Sequence, residues 1–374
     1  MHQSPVFFKK AKYTASGSLS ALAWKKFRKN RLGFGSLLFL GAVLVIAILG
    51  YLITPDPSPY ANDQHLELGL KKPGFSVTFL PVSREPADPA SGIFNTMIWG
   101  SRSASQMVAI GSYRVKGDSV YYTEFSESPA VSMPILVLPV SRCLTPVTKR
   151  FWLGTDRFGR DYLSQLMIGT RVSLSVGFIS VFISLVLGIS IGAVGGYFRG
   201  WIDNLIVWFI TVVWSIPTLL LVIAITFALG KGFWQVFVAV GLTMWVEVAR
   251  VVRGQILGIR EKEYVEAGRA LGFSNFRIIF HHILPNVMAA VIVISAANFA
   301  SAILMEAGLS FLGIGVQPPV PSWGSMIKEN YGYIVLDYAF LAILPGVAIM
   351  LMVLAFMFIG NALRDALDVK VSEF

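Results

Sequence analysis

Six long apolar runs, each bounded by charge or by Gly and Pro, organise the chain: Gly33–Ile53, Val172–Phe198, Leu205–Leu229, Gly232–Ala249, Val287–Ala307 and Ala339–Leu363. A hydrocarbon core of about 30 Å takes about 20 apolar residues at about 1.5 Å rise each, so each run reads as a membrane-crossing helix. Barrel strands would instead alternate over about 10 residues, and in lipid only helices and closed barrels satisfy every backbone polar group. The pattern predicts an all-α integral membrane bundle of six transmembrane helices.

Between the fourth and fifth runs the pattern changes to EYVEAGRALGFSNFRIIFHHILPN, Glu263 to Asn286. Tyr264, Ala267 and Leu271 recur at helical spacing, Gly272 offers a left-handed stop, and Ser274 offers an N-cap. Phe276, Ile279, Phe280 and Ile283 then recur at i, i+3, i+4 and i+7, and Pro285 is expected to end a second short helix. Helices of about ten residues are marginal alone in water, so their apolar faces need a surface: the chain's own spans, the lipid interface, or a partner. His281 and His282 are adjacent, point about 100° apart and lack a flanking Cys or carboxylate pair, so no metal site is read there.

The stretch 54–170 is too long for a plain loop. In SYRVKGDSVYY, Tyr113 and Val115 alternate before Gly117–Asp118, and Val120 and Tyr122 alternate after it, which predicts a small β-hairpin with a type II′ turn. Elsewhere TPDPSP, REPADP and the spaced Pro129, Pro134, Pro139 and Pro146 suggest irregular chain. The layout is therefore a basic segment (1–32), a first span (33–53), an extracytoplasmic excursion (54–170), a five-helix core (171–363) holding the loop 250–286, and a tail (364–374).

Composition agrees: 55% hydrophobic, 14% charged, mean hydropathy +0.66. Basic residues are retained on the cytoplasmic side. Lys9, Lys10, Lys12, Lys25, Lys26, Arg28, Lys29 and Arg31 precede the first span, and Arg250, Arg253, Arg260, Lys262, Arg269 and Arg277 crowd the loop 250–286. Lys231 and Lys328 stand alone on the other side. Both termini and that loop are thus expected in the cytoplasm. Topology accounts for the net charge of +10, and nucleic-acid binding is not read from it. The first run is longer than a signal-peptide core of 7–15 residues, so it reads as an uncleaved span. Cys143 is the single cysteine, which leaves no intrachain disulfide.

Polar groups inside spans face a bundle or a cavity. Ser295, Asn298 and Ser301 share roughly one helix face, either lining a path or bonding between helices, and Glu306 lies near the outer end of that span. Pro217 is a hinge or a fixed bend in the third span. Glu247, Arg250 and Arg253 are spaced for pairing along one helix. In GTDRFGRD, Asp156 and Arg160, with Asp161 beside them, are expected to fix a short helix at the outer face. No Ser/His/Asp arrangement and no G-x-x-x-x-G-K-[ST] phosphate loop occurs, so the chain reads as non-catalytic, with no cofactor of its own.

The stretch EAGRALGFSNFRIIFHHILP resembles the EAA-type loop of ABC importer permeases, with Glu266, Ala267 and Gly268 at the EAA positions; Gly268 stands where the pattern has alanine. LGTDRFGRDYLSQLMIGTRVSL and EAGLSFLGIGVQPPVPSWGSMI resemble segments flanking the second and fifth spans in permeases of the dipeptide/oligopeptide/nickel type. The excursion is longer than is usual in that family. The resemblance implies an importer permease in the bacterial inner membrane, its loop coupling a cytoplasmic ATPase through Glu266, Ala267, Gly268, Gly272, Phe276, Phe280 and Pro285. It also implies a second permease as pore partner, two ATPase subunits holding ATP and Mg²⁺, an extracytoplasmic binding protein, and a peptide, nickel or other small solute as cargo. An ion-driven secondary transporter or a membrane-anchored sensor would be the readings from other classes; the first should show carboxylates at midspan.

Overall fold

The computed structural model describes residues 19–83, 92–101, 103, 105–126, 134–230 and 232–367. Lys9, Lys10, Lys12, Pro129, Lys231 and the tail beyond 367 lie outside that set. A basic amphipathic helix, α1 (Leu19–Lys29), precedes the first span, α2 (Arg31–Ile53). Asn30 separates them, its side-chain oxygen accepting the Gly33 N–H at 3.0 Å as an N-cap. Phe27 of α1 packs against Ala362 and Ala366. The basic segment is thus partly helical.

The excursion holds a five-stranded antiparallel sheet of order β4-β3-β2-β1-β5, from β1 (Phe75–Ser83), β2 (Ser105–Lys116), β3 (Ser119–Glu124), β4 (Leu136–Pro139) and β5 (Val147–Phe151). The predicted hairpin joins β2 to β3, with Lys116 opposite Ser119 and positive φ at Gly117. Two expectations need correction. The proline-spaced stretch supplies β4 and β5, and β1, which contains Pro81, was not predicted. The reason is two-sided burial: Phe79, Ala109 and Phe151 pack with Leu68 on one face, while Leu80, Ile110, Val120 and Tyr122 pack on the other, which erases the alternation that marks a half-exposed strand. A short helix, α3 (Ile93–Trp99), lies between β1 and β2.

The second span, α4 (Tyr162–Phe198), begins ten residues before the apolar run at Val172. Ser164, Gln165 and Arg171 in that extension serve the excursion: Ser164 Oγ accepts the Asp56 N–H at 3.0 Å, and Gln165 donates to the Tyr60 carbonyl at 3.0 Å. Hydropathy misses such residues because they face protein. The main helix pair is α4 with α7 (Phe233–Ile259). Gly188, Gly192 and Gly196 of α4 lie one turn apart and approach Val248, Ala249, Val252 and Ile256 of α7, the small-residue seam that lets membrane helices meet.

The third apolar run is broken. It forms α5 (Gly200–Trp214) and α6 (Thr218–Leu229), bent by 90°. Pro217, without an N–H, stands at the N-cap of α6. Asp203 meets Arg253, Phe209 stacks on Trp245 at 5.5 Å and Trp214 meets Arg250, so α5 packs along the second half of α7.

After α7 come α8 (Glu263–Ala270), α9 (Asn275–Arg277) and a π-helical turn (Ile278–Ile283) leading into α10 (Leu284–Phe311). These last three run as one helix from Asn275 to Phe311. Pro285 was expected to stop it and does not. The π turn shifts the bonding, with the Leu284 N–H reaching the Ile279 carbonyl, so the ring of Pro285 is accommodated in the first turn of α10. After it, α11 (Trp323–Asn330) precedes the last span, α12 (Phe340–Leu367).

Candidate functional site: a two-faced turn and a buried clasp

Glu263 and Glu266 sit in the first turn of α8 and Arg269 in its last, in accord with the helix dipole. The helix ends in a Schellman motif: the Gly272 N–H donates to the Arg269 carbonyl at 2.9 Å and the Phe273 N–H to that of Gly268 at 3.0 Å. Gly272 has φ +75°, a conformation that costs a side-chain-bearing residue about 1–2 kcal/mol. Ser274 then caps the next helix, accepting the Arg277 N–H at 3.4 Å.

The turn has two faces; Tyr264, Ala267 and Leu271 share one as their spacing predicts, while the second helix divides differently. Val265, Ile278, Ile279 and Ile283 are buried against Ala193 and Tyr197 of α4 and Val252 and Ile256 of α7. Tyr264, Ala267, Leu271, Phe276 and Phe280 are exposed, Leu271 at 73% and Phe276 at 67%. Periodicity groups Phe276 and Phe280 with Ile279 and Ile283, but the buried arc is centred on Ile278 and Ile279 and leaves the two phenylalanines on its exposed edge. The two phenylalanine rings stack at 4.2 Å and wall an apolar groove with Phe182, Val186 and Phe198 of α4. His282 stacks on Phe273 at 5.7 Å, and His281 is exposed.

Polar contacts lock the turn to the ends of the spans. Tyr197 donates its hydroxyl to Asn275 at 2.7 Å, its carbonyl accepts from Arg260, and Arg199 pairs with Glu261 at 2.7 Å. Burial, joined by the like charges of Arg199 and Arg269, lowers the Arg260 pKa. Glu247, Arg250 and Arg253 do not pair along α7. Arg253 binds Asp203 of α5 through Nε at 2.6 Å, and Arg250 lies over the Trp214 ring at 3.6 Å. Asp203 was missed because it lies inside GWIDNLI, where the apolar run dominates.

At the opposite end of the spans Asp156 and Arg160 are both buried and paired, Nε to Oδ2 at 2.6 Å. They fix a tight loop, not the short helix expected: Asp156 Oδ1 accepts the backbone N–H groups of Phe158 at 2.9 Å and Arg160 at 3.0 Å. Asp161 caps α4 by accepting the Ser164 N–H at 2.8 Å; burial pushes its carboxyl pKa up. Arg160 also reaches Glu329 of α11 at 3.0 Å and Asn62 at 3.3 Å. Lys72 bonds Asp337 at 2.5 Å. These contacts join the excursion to the segment after the fifth span, and their partners, far apart in sequence, carry no local signal.

The structure does not gather the other polar candidates. Asn298 is fully buried with neither side-chain polar atom paired, Ser295 donates to the Val291 carbonyl at 2.6 Å, and Ser301 is exposed. Glu306 is fully buried and accepts from Ser310 at 2.7 Å.

Residues 184–373 match the pattern of the family described as "Binding-protein-dependent transport system inner membrane component". Residues 18–73 match "N-terminal TM domain of oligopeptide transport permease C". The dipeptide transport system permease protein of Alkalihalophilus pseudofirmus is 42% identical over 222 residues, covering 59% of this chain and 73% of that one. The glutathione transport system permease protein of Pectobacterium atrosepticum is 40% identical over the same shares, and that of Escherichia coli 39% identical over 59% of this chain and 72% of its own. Among solved structures, inward-facing forms of the MetNI methionine ABC transporter align with a TM-score of 0.46 at 21% identity, over 54% of this chain and 96% of theirs.

Proposed function

Because the chain belongs to the family of binding-protein-dependent transport system inner membrane components, we propose that it is the permease subunit of an ATP-driven ABC importer of peptides. The named relatives carry a dipeptide and glutathione. That supports a peptide cargo over the nickel or other small solute left open by the sequence. A permease of this family is a multi-pass inner-membrane protein working with an ATPase and a binding protein; the basic residues before α2 and around α8 support cytoplasmic termini.

One observation carries the coupling role. The turn 263–283 is clamped to α4 and α7 by one face and presents Tyr264, Ala267, Leu271, Phe276 and Phe280 on the other. In this reading a cytoplasmic ATPase, which holds ATP and Mg²⁺, receives that face, with Glu266, Gly268 and Gly272 shaping the turn. The chain makes and breaks no covalent bond. Closure of two ATPases draws the turn with it, and the unbroken helix past Pro285 carries the displacement outward. A second permease subunit completes the pore, with Ser295, Asn298, Ser301 and Glu306 as path candidates. The bend at Pro217 is the hinge candidate.

The test uses the chain co-expressed with its partner subunits. Leu271→Asp with Phe276→Asp should leave its membrane level unchanged and abolish both co-purification of the ATPase and ATP-dependent dipeptide uptake into vesicles. ATP-independent uptake by the chain alone would overturn the reading.

A further inference from the structure

The helix α3 has the sequence IFNTMIW, without charge, yet Ile93 is 79%, Phe94 71% and Trp99 64% exposed. An apolar patch of this kind marks an interaction surface, and its position identifies the partner. Arg171 of α4 donates to four carbonyl oxygens: Ala47 at 2.5 Å and Ile48 at 2.9 Å on α2, and Met97 at 2.5 Å and Ile98 at 3.1 Å on α3. The guanidinium therefore fixes the last turn of α3 beside a point on α2 that precedes its outer end, Ile53, by five residues. At about 1.5 Å per residue that is about 7 Å below the end of the span. The chain then climbs back, the Ser101 N–H donating to the Pro57 carbonyl at 2.8 Å.

At this level α2 itself exposes Leu44, Ile48, Leu52 and Ile53, the lipid-facing surface of a membrane span, and the apolar side chains of α3 continue it. Amphipathic interfacial helices sit about 5–10 Å into the boundary between headgroups and acyl chains, and tryptophan favours that zone. An arginine at such depth needs its donors satisfied, and Arg171 spends them on backbone carbonyls. We propose that α3 is an interfacial anchor, held by Arg171 in the outer leaflet with Ile93, Phe94, Ile98 and Trp99 among the acyl chains, tying the extracytoplasmic sheet to the bilayer. The proposal rests on α2 crossing the membrane and not on the cargo, so a failed uptake assay leaves it standing.

The test places a nitroxide on Phe94→Cys or Ile98→Cys in a Cys143→Ser background, with the full chain in phosphatidylcholine vesicles. Val45→Cys on α2 and Asp118→Cys at the hairpin tip give the lipid and water references. Collisions with dissolved oxygen are expected to persist at 94 and 98 while those with a water-soluble nickel chelate are lost, as at 45. Nickel access matching that at 118 would overturn the proposal. Shielding from both reagents, the mark of a docked protein, would overturn it as well. Where Phe94→Cys disturbs the fold, Ile93→Cys reads the same depth.

Discussion

Arg253 near the C-terminal end of α7 holds Asp203 in the first turn of α5 by two hydrogen bonds, Nε to Oδ1 at 2.6 Å and Nη2 to Oδ2 at 2.8 Å. The pair ties the start of α5 to α7. Hydrogen bonds to charged groups contribute about 1.5–3 kcal/mol, less here because the arginine is partly solvated. Asp203→Asn and Arg253→Lys should each lower the thermal midpoint of the chain in detergent, since lysine keeps the charge and loses the fork. The double variant should fall no further than the worse single one. Fully additive shifts would show that the two residues act separately.

Asp156 and Arg160 are buried together, so removing one leaves the other uncompensated, at a cost of about 3–5 kcal/mol. Arg160→Ala is expected to reduce the amount of assembled complex in the membrane before it changes uptake per assembled complex. Normal complex levels with abolished uptake would instead give the arginine a direct part in transport.

Gly272 and Gly268 should respond oppositely to alanine. Gly272 has φ +75°, and alanine there strains the Schellman turn by about 1–2 kcal/mol, which should weaken ATPase association. A Cβ on Gly268 would meet Phe273 at 3.4 Å and Ile278 at 3.9 Å, ordinary contacts. Helix propensity favours alanine by about 1 kcal/mol, so Gly268→Ala should raise the midpoint and preserve uptake. Equal losses at both positions would contradict this account of the turn.

The exposed Lys72–Asp337 pair makes a pH prediction. Their mutual hydrogen bond, reinforced by charge attraction, lowers the Asp337 pKa and raises that of Lys72. The Asp337 contribution is present above about pH 3.9, the ordinary aspartate value, and is lost as pH falls through the depressed one. The Lys72 contribution is present below about pH 10.4 and is lost as pH rises through the raised value. Between those limits the midpoint difference between parent and Lys72→Ala should be flat with pH. It should shrink in 1 M salt, where the Debye length is about 3 Å. A change across neutral pH would point to some other titrating group.

Much of this molecule was legible before its structure. The apolar runs located the spans because lipid-facing helices need hydrophobic residues along their length, and Gly272 and Ser274 marked their turn because backbone conformation demands those residue types. What escaped follows from tertiary context. The start of α4 was hidden because Ser164, Gln165 and Arg171 face the excursion; β1 was hidden because both its faces are covered. The second helix of the turn 263–283 was grouped wrongly because spacing joins Phe276 and Phe280 to Ile279 and Ile283, and only packing against α4 and α7 decides which edge of that stripe is buried. Arg160–Glu329 and Arg253–Asp203 join residues far apart in sequence, and nothing local announces them.

The helix from Asn275 to Phe311 carries one more consequence. Part-way along it Phe299 is seated between Phe178 and Phe356, at 4.8 and 4.7 Å between ring centroids. Taken as a bearing, that contact divides the helix into an arm of 24 residues toward Asn275 (299 − 275) and one of 12 toward Phe311 (311 − 299), about 36 Å and 18 Å at about 1.5 Å per residue. The helix is then a lever of about two to one. A displacement at its Asn275 end then arrives at its Phe311 end with half the travel, in the opposite sense and with about twice the force.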